Sequence, residues 1–138
     1  MEKRLFYPWW LLNKDIKRMV DNIKKLDIKA VYGFPRGGLI VAVMFSNYLN
    51  IPLITDFSKV KSMNKDDVLI VDDIADSGKT MLAIPKINLY RTATLFVKKG
   101  SKFMPMLHCN ECADDVWVIF PWEPRESKAE RDGTLKNV

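Results

Sequence analysis

Val68, Leu69, Ile70 and Val71 are four consecutive branched apolar residues, and they run straight into Asp72 and Asp73. A strand with no polar face has to be covered on both sides, which is the situation of a central strand in a parallel sheet. Shorter apolar runs at 30–32, 51–55, 92–97 and 116–120 supply further strands. Helical stretches alternate with them. Ile16, Met19, Val20, Ile23 and Leu26 recur at helical spacing, with Asn13 available as a cap, over 13–26. Gly37 and Gly38 open a second apolar helix reaching Leu49, and a third begins near Gly78 until Pro85 limits or kinks it. Residues 56–67 are polar and lysine-rich and read as a loop, as do residues 72–77. The alternation predicts an α/β fold with a mostly parallel sheet flanked by helices.

A chain of 138 residues fits one domain, and at that length a single core buries roughly 70% of the unfolded surface without a metal or disulfide staple. Residues 1–124 are expected to form the domain. The mixed-charge stretch from Arg125, residues 125–138, is expected to be a mobile tail. No apolar run approaches the roughly 20 residues of a spanning helix, and no signal peptide is visible. Cys109 and Cys112 do not make a secreted disulfide framework, so a cytoplasmic protein is the expectation. With His108 they form His-Cys-x-x-Cys, but a structural zinc site needs four ligands and no second pair is present. They read as ordinary reduced residues on a loop.

Ligands of parallel α/β sheets bind beyond the carboxyl ends of the strands. Three turns stand there: 33–38, 72–80 and 98–100. In the second, two adjacent acids can accept hydrogen bonds from neighbouring sugar hydroxyls. Asp76, Ser77, Gly78, Lys79 and Thr80 then lead into a helix whose free amides, with the two hydroxyls, form an anion cradle. The competing reading is a capped helix with surface acids. A P-loop is excluded because that motif needs glycine at position 73, where Asp73 stands. The formal charge of +5 suits an anionic ligand. No basic-aromatic interleaving marks a nucleic-acid surface.

The string 68–81 resembles the phosphoribosyl pyrophosphate signature of type I phosphoribosyltransferases, especially the hypoxanthine-guanine and xanthine-guanine enzymes. That resemblance implies the fold of the family, with a small hood formed by the N-terminal segment and about 117–124. It implies that Asp72 and Asp73 face the ribose hydroxyls and help organise Mg²⁺, that residues 76–80 wrap the 5-phosphate, and that Asp76 lies near purine N7 as general base. Arg36 and Gly37, in Gly33-Phe34-Pro35-Arg36-Gly37-Gly38, match the family's pyrophosphate loop, which often carries a cis peptide. Lys98 matches the cation facing the purine O6. Trp117-Val118-Ile119-Phe120-Pro121-Trp122-Glu123 resembles the hood segment, in which Trp117 stacks on the base, Val118 offers backbone contacts and Glu123 stands near pyrophosphate and Mg²⁺. Tyr7, Pro8, Trp9 and Trp10 resemble the start of the smaller enzymes and read as hood packing.

The implied activity is transfer of a phosphoribosyl group to N9 of guanine, xanthine or hypoxanthine in purine salvage. The implied partners are phosphoribosyl pyrophosphate, a purine base and further copies of the chain in a homodimer or homotetramer. The alternative is a nucleotide-binding regulator or weakly active binding module on the same fold. One departure stands out. Family members carry a long mobile loop before the signature strand, whereas only residues 56–67 are available here. Either Lys59, Lys61 and Ser62 form a minimal lid, or a partner subunit closes the site, or turnover is poor.

Overall fold

The computed structural model describes residues 3–124; the expected tail at 125–138 lies outside them. Strands β1 (Lys3–Phe6), β2 (Ala30–Gly33), β3 (Leu53–Ile54), β4 (Val68–Ala75), β5 (Arg91–Lys98), β6 (Leu107–Cys112) and β7 (Val116–Ile119) alternate with helices α1 (Trp9–Ile23), α2 (Gly37–Leu49), α3 (Phe57–Ser62) and α4 (Lys79–Leu82). Five strands form one parallel sheet in the order β3-β2-β4-β5-β6. This is the expected α/β architecture. β1 and β7 pair in parallel as a separate two-stranded sheet, with Leu5 opposite Val118. No helix among the described residues is long and apolar enough to cross a membrane.

The sheet divides the core in two, and the strand period of two assigns each side chain to a half. On β4, Leu69 and Val71 face a cluster built with α1 and α2, while Val68 and Ile70 face one built with Val60, Met81 and Ile84. All four β4 residues are fully buried, as a central strand requires. In α1, Leu12, Ile16, Met19, Val20 and Ile23 form the inward stripe. Asp15 is buried among them and is held by the Tyr7 hydroxyl (2.5 Å), Arg18 (2.6 Å) and the Asn110 amide (3.1 Å), which ties the N-terminal segment and α1 to β6.

Several local expectations are corrected. α1 starts at Trp9, one turn before Asn13, because Pro8 in an extended conformation sets its first turn. Asn13 instead accepts a hydrogen bond from the Tyr48 hydroxyl at 2.6 Å. β4 runs on through Asp72 and Asp73 to Ala75, because β5 offers partners that far, Asp72 opposite Thr94 and Ala75 opposite Val97. His108, Cys109 and Cys112 lie on β6, not on a loop, and pair with β5 on one side only. β3 is two residues long because Pro52 has no amide to give a ladder.

Residues 56–67 are not a loop. They hold α3 and a 3₁₀ turn over Lys65–Asp67. Asp56 caps α3 through its carboxylate and the Ser58 amide at 3.0 Å. Val60 is fully buried, and Phe57 packs edge-on against Tyr32 at 5.3 Å between ring centroids. Lys59, Lys61 and Ser62 therefore sit on the exposed face of a short capped helix, not in the loop expected for a minimal lid.

Candidate active site

The carboxyl ends of β2, β4 and β5 converge, because the register sets Gly33 beside Val71 and Asp72 beside Thr94. Beyond them opens a cleft of about 670 Å³. Arg36, Gly37, Asp73, Asp76, Lys98, Trp117, Val118 and Glu123 all line it. A smaller hollow of about 60 Å³ adjoins it, lined by Asp72, Ser77, Gly78, Lys79 and Thr80; Ile74 and Asp76 border both. Every residue that the resemblance assigns to the sugar phosphate, the pyrophosphate, the purine or Mg²⁺ thus lies on one of two neighbouring cavities, whereas Lys59, Lys61 and Ser62 line neither.

Each wall has a local cause. Gly78 takes φ +90°, and a Cβ there would meet the Phe103 amide nitrogen at 2.7 Å, so only glycine makes the turn from β4 into α4. The Ser77 hydroxyl accepts from the Lys79 amide at 3.3 Å and closes that turn. The loop after β2 packs directly on the acids of β4: a Cβ on Gly37 would come within 2.0 Å of Asp73 Oδ2. The Pro35–Arg36 peptide in this loop is cis. On the opposite wall, Phe120 and Trp122 stack nearly flat, 5.1 Å apart with 5° between planes.

The charges are arranged unevenly. Asp73 Oδ1 accepts from the Ile74 amide at 2.8 Å and Asp72 Oδ1 from the Asp73 amide at 2.9 Å. Burial, and after it the charge of Asp73, push Asp72 up to about 8. Burial raises Asp73 as well. Two half-buried acids this close together suit a cationic or hydroxyl-bearing guest. Asp76 is well exposed, and its Oδ1 lies 3.4 Å from the Lys98 ammonium, which is itself almost buried. Among the described residues no cluster of three or more His, Cys, Asp or Glu can cage a metal.

No protein-family model matches the chain. It is similar to the xanthine-guanine phosphoribosyltransferase of Cereibacter sphaeroides, 31% identical over 119 residues that cover 69% of each chain. The chain belongs to the type I phosphoribosyltransferase family. The xanthine-guanine phosphoribosyltransferase of Chromohalobacter salexigens is 26% identical over 132 residues, 83% of this chain and 81% of that one. In fold, the phosphoribosyltransferase chain described here matches the crystal structure of the purine phosphoribosyltransferase from Pyrococcus horikoshii, with a TM-score of 0.76 and 24% identity over 90% of this chain and 97% of that one.

The phosphoribosyltransferase cleft also has members that sequence reasoning missed. Ile40 lines it as apolar wall outside every motif, and Ile74 and Phe120 line it from within the 68–81 and 117–123 strings, where no role was assigned to them. Asp114 was unsuspected: its main-chain oxygen accepts from Lys98 at 3.3 Å. A carbonyl's role leaves no trace in residue type, so the sequence carries no signal for it.

Proposed function

We propose that the chain transfers the 5-phosphoribosyl group of phosphoribosyl pyrophosphate to a 6-oxopurine. The purine N9–H becomes N9–C1′, the bond from C1′ to the pyrophosphate oxygen breaks, and nucleoside monophosphate, pyrophosphate and a proton leave. The observation that carries this reading is the cleft in which Arg36, Gly37, Asp73, Asp76, Lys98 and Trp117 meet, adjoining the hollow lined by Asp72 and the 76–80 turn. Its family membership and its purine-transferring relatives support the same reading.

In this reading the 5-phosphate sits on the amides and hydroxyls of 76–80. Asp72 and Asp73 accept from the ribose hydroxyls. Arg36 and the Gly37 amide hold the departing pyrophosphate, where negative charge grows in the transition state. Asp76 takes a hydrogen bond or proton at N7, which raises electron density at N9. Lys98 donates to O6; adenine offers a donor there and leaves both groups unpaired. Trp117 stacks on the ring and Val118 contacts its edge through the backbone. Asp73 and Glu123 on the cleft, with Asp72 on the adjoining hollow, would suit a Mg²⁺ ion that arrives on phosphate oxygens, since this ion takes one or two carboxylates and completes its shell from substrate and water. When bound, the ion neutralises charge on the leaving group.

The test is an absorbance assay with phosphoribosyl pyrophosphate, Mg²⁺ and guanine, xanthine, hypoxanthine or adenine in turn. Nucleotide from the 6-oxopurines and little from adenine is expected. No nucleotide from any base would remove the reading. The short connection favours a second one, a nucleotide-binding protein of weak turnover, because residues 56–67 form a capped helix and a 3₁₀ turn in place of a long loop that could cover the cleft. Tight guanosine monophosphate binding by calorimetry with no turnover would select it.

A further inference from the structure

We propose that Asp114 is a positioning residue for purine recognition, holding the Lys98 ammonium in the cleft by stapling the turn after β6 to the turn after β5. The proposal rests on the reading of Lys98 as the group that meets the purine oxygen.

Lys98 ends β5, and its side chain is only 9% exposed although it borders the cleft. An ammonium has three N–H donors. The ammonium donates one to the Asp114 main-chain oxygen at 3.3 Å and forms an ion pair with Asp76 Oδ1 at 3.4 Å. The bond to Asp114 is the directional one, so together with the ion pair it sets how the remaining donors face an incoming acceptor. A lysine on a flexible stem has no direction of its own, so recognition depends on whatever fixes those acceptors.

Asp76 is fixed by β4 and the turn after it. The Asp114 carbonyl belongs to an exposed turn between β6 and β7 and needs a tie. The tie is its own side chain: Oδ1 accepts from the Gly100 amide at 2.7 Å. Beside it the Lys99 amide donates to the Cys112 carbonyl at 3.0 Å, and the Ser101 amide closes the turn onto the Lys98 carbonyl at 3.0 Å. One residue thus holds the 98–101 turn with its carboxylate and the ammonium with its backbone. The carboxylate lies so close that a Cβ on Gly100 would be 2.6 Å from Oδ2 and 2.8 Å from Oδ1, which explains glycine there.

Both positions are exposed, so substitutions leave the core intact. The experiment is steady-state kinetics on the full chain, with separate KM values for guanine and phosphoribosyl pyrophosphate. Asp114→Ala should raise the guanine KM about tenfold, the worth of one oriented hydrogen bond to a charged group, and leave the other KM within about twofold. Asp114→Asn keeps an acceptor oxygen and should restore most of the loss. Gly100→Ala should reproduce Asp114→Ala, and the double variant should be no worse than either single one. A guanine KM raised less than about threefold, an equal rise in both KM values, or no rescue by asparagine would overturn the proposal while the proposed function stands. A wild-type chain that forms no nucleotide removes the proposed function, and this inference with it.

Discussion

Gly37→Ala tests the tightest contact in the site. Gly37 opens α2 without a positive φ, so alanine fits the backbone there and by helix propensity alone would stabilise by about 1 kcal/mol. The obstacle is steric. The new methyl would lie 2.0 Å from Asp73 Oδ2 and 2.7 Å from its Cγ, more than an ångström inside ordinary contact. The carboxylate has to swing away, and its bond from the Ile74 amide at 2.8 Å goes with it. A lost bond to a charged acceptor costs about 1.5–3 kcal/mol. After the propensity gain, a net loss of roughly 0.5–2 kcal/mol remains, about 2–10 °C in Tm for a domain of this size. If Asp73 holds the sugar as proposed, it is displaced from it as well, and affinity for guanosine monophosphate should fall about tenfold or more. Thermal melts and calorimetry on Gly37→Ala, Asp73→Ala and the double variant separate the effects. In the Asp73→Ala background only the Cβ of residue 73, at 3.3 Å, remains near the methyl, and Gly37→Ala should cost far less in Tm. An equal Tm loss in both backgrounds would refute the reasoning.

The other predictions follow from the same geometry. Asp72 has a folded pKa raised to about 8, so its contribution favours the ligand-free fold at low pH and is lost as pH climbs from the ordinary carboxylate range through about 8; denaturant melts from pH 5 to 9 should show that decline, and Asp72→Asn should flatten it. Asp76→Asn should lower turnover about 10²- to 10⁴-fold as expected for loss of a general base, while guanosine monophosphate affinity by calorimetry stays within a few-fold. Asp15→Ala should destabilise by about 3 kcal/mol in denaturant melts, because buried donors on Tyr7 and Asn110 lose their acceptor. Burial alone would raise the Asp15 pKa, but the bonds from Tyr7, Asn110 and Arg18 outweigh it and hold it low; its contribution is therefore present above the ordinary carboxylate pKa and lost as pH falls through the depressed value, which an acid titration of wild type against Asp15→Asn should show.

What could be read from the residues alone was whatever depends on neighbours in sequence. The parallel sheet was legible because Val68–Val71 has no polar face, and the turn at Gly78 because glycine is the residue for φ +90°. What depends on pairing at a distance was not. β1 has four exposed residues and no period, and becomes a strand only because β7 lies alongside it. Asp72 and Asp73 looked like loop residues because aspartate is poor in strands, yet β5 extends far enough to keep them in the ladder, and that rigid placement holds two carboxylates side by side. The helix α3 carries the largest consequence. Its letters are polar and lysine-rich, and only Val60, Phe57 and the Asp56 cap turn them into a packed element. A connection that is buried at its centre and capped at its start costs free energy to lift, so it cannot cover the cleft cheaply in each cycle. If the chain transfers phosphoribosyl groups to a purine as proposed, exclusion of water falls to a partner subunit or to the walls already in place, chiefly the Phe120–Trp122 stack and Trp117. In the second case the purine ring would be part of the cover, and its positioning by Lys98 and Trp117 would bear on the chemical step as well as on affinity.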